Sequence, residues 1–191
     1  LIPGPVNTNF NRIVDMAPRD TLSINIIKNL RDSLLDIYKL PKAKYTTILV
    51  PGCGTGTNEA VMRMFPKDKR LDILSNGVYG NRLLEISQYL NLDKTHFCFN
   101  NMKKIRLPCH HNVGDIVSVV HHETGTGIKN DLEQILDYYP QTTISHVDAI
   151  STFGGVPFDL EKYNVDFFVG SANKCMHSFP GLSFVIANKI T

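Results

Sequence analysis

Apolar positions along this chain fall into two alternating rhythms. Short continuous runs at 45–50 (YTTILV), 71–74 (LDIL), 95–99 (THFCF), 115–121 (DIVSVVH), 142–147 (TTISHV) and 165–171 (VDFFVGS) read as strands. Their β-branched and aromatic residues suit a pleated surface covered by other elements. Between them lie segments of helical period. Ile27, Leu30, Leu34 and Ile37 or Tyr38 recur at helical spacing over 20–39, with Asp20 or Ser23 as candidate N-caps and Pro41 beyond the end. NEAVMRMF (58–65), RLLEISQYL (82–90) and DLEQILDYY (131–139) predict three further helices. Strands separated by helices predict βαβ units, hence an α/β fold with a mostly parallel sheet, right-handed crossovers and helices on both faces. Ligands of such sheets sit outside the carboxyl ends of the strands, so the strand-end turns are where chemistry is expected.

Those turns hold reactive groups. Pro51-Gly52-Cys53-Gly54-Thr55-Gly56-Thr57 joins a strand to a helix and offers backbone N–H groups at a helix N-terminus, an anion site suited to a phosphate. Tyr79, in NGVYGNR (76–82), stands at the next strand-to-helix turn, where an aromatic ring can stack on a flat heterocycle. Thr124, in HHETGTG (121–127), places a hydroxyl at another strand end. Asp148 ends the TTISHV run and Lys174 follows VDFFVGS, so a carboxylate and an amine share one sheet edge. An amine that condenses with an aldehyde, opposite a carboxylate that keeps a pyridine nitrogen protonated, is the pair that pyridoxal phosphate chemistry requires. The glycine turn alone also fits an S-adenosylmethionine-dependent methyltransferase. Against that stand Val50-Pro51 and Ser75-Asn76, where those enzymes usually carry acids. His121 and His122 read as structural histidines or acid–base groups, the strand-end position favouring the former. Cys109-His110-His111 are adjacent residues with no second ligand pair at zinc spacing, so a surface loop is expected there and no metal.

Taken together, DAISTFGG (148–155), SANKC (171–175), HHETGTG and NGVYGNR resemble the class V, fold type I aminotransferases. The resemblance runs from IPGP (2–5) to the FVIANK run (184–189) and implies pyridoxal 5'-phosphate as cofactor. It also implies roles. Gly54 and Thr55 hold the phosphate, and Cys53 stands where serine is usual. Tyr79 and Ile150 cover opposite faces of the ring, Thr124 meets its phenolic oxygen, and Ser171 and Asn173 reach the phosphate. Asp148 pairs with the ring nitrogen, and Lys174 is the cofactor-bonding amine and proton carrier. HHETGTG, DAISTFGG and SANKC are most similar to the branch of the family that moves an amino group from 2-aminoethylphosphonate to pyruvate, with alanine:glyoxylate and serine:pyruvate enzymes as the alternative. Homodimers are the rule in the family. So is a smaller C-terminal domain carrying the substrate arginine, which is expected to be absent from 1–191, leaving a large cofactor-binding domain with an N-terminal arm over about 1–15. A catalytically inactive binding fragment is the third reading.

Bulk properties narrow the partners. A net charge of +2 with 20% charged residues gives no basic stripe for nucleic acid or a membrane surface. No apolar run reaches the roughly 18 to 20 residues of a spanning helix, and the N-terminus lacks a signal-peptide pattern. The four cysteines, Cys53, Cys98, Cys109 and Cys175, are widely spaced, which suits a reducing compartment, cytoplasmic or mitochondrial.

Overall fold

The computed structural model describes residues 17, 19–99, 102–107 and 112–190. The Pro3-Gly4-Pro5 arm and the Cys109-His110-His111 loop lie outside the described residues. Among the described residues, no helix is long and apolar enough to cross a membrane.

In chain order the elements are α1 (Thr21–Asp36), β1 (Tyr45–Pro51), α2 (Gly54–Met62), β2 (Leu71–Ser75), α3 (Val78–Tyr89), β3 (Lys94–Cys98), β4 (Ile116–Val120), β5 (His122–Glu123), β6 (Ile128–Lys129), α4 (Leu132–Tyr138), β7 (Ile144–Asp148), β8 (Phe167–Ser171) and β9 (Leu182–Asn188). Seven strands form one sheet in the order β1-β9-β8-β7-β4-β2-β3. The pairs β2–β3, β2–β4, β4–β7 and β7–β8 are parallel, whereas β9 runs antiparallel to both β8 and β1. All strands but β9 therefore end on the same edge. The sheet is mostly parallel, as the strand–helix alternation predicts.

Alternate residues of each strand feed two cores. Val117 and Val119 of β4, with Phe184 and Ile186 of β9, pack on one face with Leu34 and Leu35 of α1 and Leu132, Ile135 and Leu136 of α4. Ile116 and Val120, with Val185, pack on the other with Val61 and Met62 of α2 and Leu83 and Ile86 of α3. Strands covered on both faces by helices read as unbroken apolar runs, which is why they stand out in the sequence.

Two helices begin earlier than their periodicity suggests. α2 starts at Gly54 rather than Asn58, and α3 at Val78 rather than Arg82. The first turn of α2 is glycine and threonine, and in α3 the opening Val78 and Tyr79 are exposed, so neither first turn extends the buried apolar stripe. Of the expected stripe of α1, Leu34 is buried and Leu30 and Tyr38 pack partly buried against the same core, whereas Ile27 and Ile37 are 46% and 41% exposed.

Candidate active site

The strand ends converge on a cavity of about 260 Å3, and all nine residues singled out in the sequence line it. Gly54 and Thr55 form one wall with Gly52 and Cys53; Tyr79 and Thr124 form another. Asp148 ends β7 and Ile150 follows it; Ser171 ends β8, and Asn173 and Lys174 follow it. Asp148 and Lys174 thus leave neighbouring parallel strands at the same edge and face a common space.

The first wall is held by long-range bonds. Gly52, at φ 125°, donates its N–H to Gly181 O (2.8 Å), and the Ser183 hydroxyl lies 2.5 Å from that of Thr57. No side chain caps α2, whose N-cap is Cys53. The first turn of a helix has N–H groups without intrahelical acceptors, and the helix dipole adds positive potential. An uncapped start at a cavity wall is therefore a cradle for a phosphate. A Cβ on Gly54 would run into the Ile150 side chain, so only glycine lets the two approach.

Tyr79 is placed by a residue to which the sequence reading gave no role. Glu123, fully buried, accepts the Gly80 N–H (2.6 Å) and the Tyr79 N–H (3.2 Å), so its carboxylate caps α3 across the fold. A Cβ at Gly77 would stand 2.6 Å from Glu123 Oε2, which explains the glycine there. The Asn76 and Asn130 amides bond each other, at 2.8 and 3.1 Å, and tie this turn to the small β5–β6 hairpin that carries Thr124.

Asp148 is 5% exposed. Its Oδ1 accepts the Ile150 N–H (3.0 Å) and its Oδ2 accepts the Asn58 amide (2.7 Å). Burial pushes its pKa up to about 6, with a smaller push from the Glu123 carboxylate; the two hydrogen bonds and the Lys174 charge pull the other way. Behind Asn58 lies His146, wholly buried, its ring neutral because desolvation lowers its pKa to about 3. His121 and His122 meet the hydroxyls of Thr152 (2.9 Å) and Ser151 (3.2 Å), the satisfied structural arrangement, although His122 also lines the cavity. Ser171 donates to Asn173 Oδ1 (2.7 Å), fixing one residue against the other beside Lys174.

A parallel α/β sheet with a lysine and a buried aspartate at adjoining strand ends, facing an open helix N-terminus, defines a class. The Aminotransferase class-V family matches residues 7–190, and the chain belongs to that family. This settles the glycine turn in favour of an aminotransferase over a methyltransferase.

Particular relatives sharpen the picture. The chain is 35% identical to a 2-aminoethylphosphonate--pyruvate transaminase of Phocaeicola vulgatus, over 99% of its own length and 56% of the relative's. It is 34% identical to a bifunctional phosphonoacetaldehyde hydrolase/aminoethylphosphonate transaminase of Clostridioides difficile, over 99% of this chain and 32% of that protein. The fold is that of the aspartate aminotransferase of Thermus thermophilus (TM-score 0.84, 20% identity, 98% of this chain and 56% of that one). The pyridoxamine-pyruvate aminotransferase of Mesorhizobium loti shares it as well (TM-score 0.83, 21% identity, 100% and 51%). The chain thus spans about half the length, or less, of the proteins it matches.

Proposed function

We propose that this chain is the cofactor-binding part of a pyridoxal-phosphate-dependent transaminase that passes the amino group of 2-aminoethylphosphonate, or a similar small amine, to pyruvate. The observation that carries the reading is the shared cavity of Asp148 and Lys174, with the uncapped start of α2 on the same wall. Bound there, the cofactor supplies the electron sink that makes amino transfer possible. Gly54 and Thr55 offer the phosphate the N–H groups of the helix start, with Ser171 and Asn173 adding polar contacts across the cavity. Tyr79 and Ile150 supply apolar cover for two ring faces, and Thr124 a hydroxyl for the phenolic oxygen. Asp148, an anion above about pH 6, holds the proton on the ring nitrogen. Lys174 would bond the cofactor and would carry a proton at the substrate's reacting carbon. The 2-aminoethylphosphonate assignment rests on the relatives' names and on HHETGTG, DAISTFGG and SANKC.

A homodimer belongs to this reading. Leu22, Ile24, Ile26 and Ile27 of α1 leave apolar surface exposed that a second copy can cover.

The test is a screen of amino donors with pyruvate on the full-length protein, reading alanine formed. Alanine from 2-aminoethylphosphonate supports the substrate; alanine only from other donors moves the assignment within the family. Cofactor binding without transfer from any donor supports the inactive fragment, and failure to bind pyridoxal phosphate overturns the reading altogether.

A further inference from the structure

Behind the cavity wall, four side chains from three elements form a continuous line. Ser118 of β4 has its Oγ 3.0 Å from His146 Nδ1; His146 of β7 has its Nε2 3.2 Å from Asn58 Oδ1; Asn58 of α2 sets its Nδ2 2.7 Å from Asp148 Oδ2. None of the four is more than 5% exposed, and the Phe65 ring packs edge-on to His146 at 5.8 Å, so the line is closed to solvent behind Asp148, the one member that also lines the cavity. The chemistry gives it a direction. An ionised Asp148 has only acceptors, so Asn58 must present its NH2 group, which turns Oδ1 toward His146. Nε2 must then carry the imidazole proton, leaving Nδ1 to accept from the Ser118 hydroxyl. Reversing any link puts donor against donor or acceptor against acceptor.

We propose that Ser118, His146 and Asn58 form a one-way hydrogen-bond relay that holds Asp148 as an oriented, acceptor-only carboxylate, making Asn58 and His146 positioning residues for the reaction. The proposal deepens the functional reading above and depends on Asp148 serving the cofactor there. Around Asp148, burial and the Glu123 carboxylate of β5 favour the protonated acid, while Lys174, following β8, and the N–H donors of Ile150 and Asn58 favour the anion. Of those donors the Ile150 N–H is fixed backbone. The Asn58 amide could swing or flip, and His146 prevents it. Because His146 stays neutral well below neutral pH, the relay keeps its polarity across the working range without adding a charge.

The test uses the full-length protein freed of cofactor, with aspartate carboxyl carbons labelled with 13C. In the wild type Asp148 titrates near pH 6. Asn58→Leu removes a hydrogen bond to the anion, and His146→Leu frees the Asn58 amide; the midpoint is expected to rise by about one to two pH units in the first and less in the second. His146→Gln, which keeps an N–H donor where Nε2 stands, is expected to restore the wild-type midpoint. An unmoved midpoint in a folded Asn58→Leu protein overturns the proposal. So does a wild-type His146 whose 15N spectrum, at pH above the Asp148 midpoint, shows the proton on Nδ1, a measurement that does not depend on any variant folding. Both are read without cofactor. A failed relay therefore leaves pyridoxal phosphate binding intact, while failure of the functional reading shows as absent binding with the midpoint shift still present.

Discussion

Replacing Asp148 by asparagine in the cofactor-free protein isolates the cost of holding an anion in this wall. The folded carboxyl keeps its proton to about pH 6, against 3.8 for an ordinary aspartate. Between those values the unfolded chain binds fewer protons than the native one, so stability falls as pH rises through the window and levels off above it. At about 1.4 kcal/mol per pH unit, the wild type loses about 3 kcal/mol by neutral pH. The amide cannot ionise, so this loss vanishes in Asp148→Asn. Its single oxygen can serve only one of the Ile150 and Asn58 donors, and the forfeited hydrogen bond costs about 1 kcal/mol. The variant is therefore expected to be more stable than the wild type by about 2 kcal/mol above pH 7, and no more stable than the wild type near pH 4. Urea unfolding followed by far-ultraviolet circular dichroism, repeated from roughly pH 4 to 8, gives both curves. His121 and His146 tilt the two alike and drop out of the difference. Parallel curves would refute the reasoning.

Three further outcomes are expected. Glu123→Ala leaves the buried Gly80 N–H and the part-buried Tyr79 N–H without their acceptor at the start of α3, a loss of about 2 to 3 kcal/mol in urea unfolding; Glu123→Gln, which keeps one oxygen, should lose roughly half as much, and a loss below about 1 kcal/mol in the alanine variant counts against the cap. Burial lowers the folded pKa of His121 to about 4 and of His146 to about 3, below the ordinary 6.5, so the unfolded chain takes up these protons first and stability present above pH 6.5 is lost as pH falls. His121→Asn should flatten that acid limb by about 3 kcal/mol at pH 4, and an unchanged limb would remove His121 as a cause. Lys174→Ala should prevent borohydride from fixing pyridoxal phosphate to the protein, as read by intact mass; a fixed adduct at another lysine would displace Lys174 from its role.

The sequence by itself determined the layers and the edge that carries the chemistry. Sandwiched strands must be largely apolar and helices need one apolar stripe, so LDIL and DIVSVV declare themselves locally, as does the β-branched edge run YTTILV, and the ends of these runs and of TTISHV and VDFFVGS carry Gly54, Tyr79, Thr124, Asp148 and Lys174. The start of α2 was not visible because its first turn is glycine and threonine, and that of α3 because Val78 and Tyr79 stay exposed, so neither adds to a buried periodic stripe. Only the tertiary structure decided that β9 lies antiparallel between β8 and β1, since an apolar run has no direction. It also decided that Glu123 caps a helix that starts 45 residues earlier in the chain, and that Asn58, 90 residues before Asp148, supplies its hydrogen bond. A buried carboxylate must find donors, but which donors depends on where strands cross, and strand order is written in the packing of whole elements rather than in the residues beside the acid.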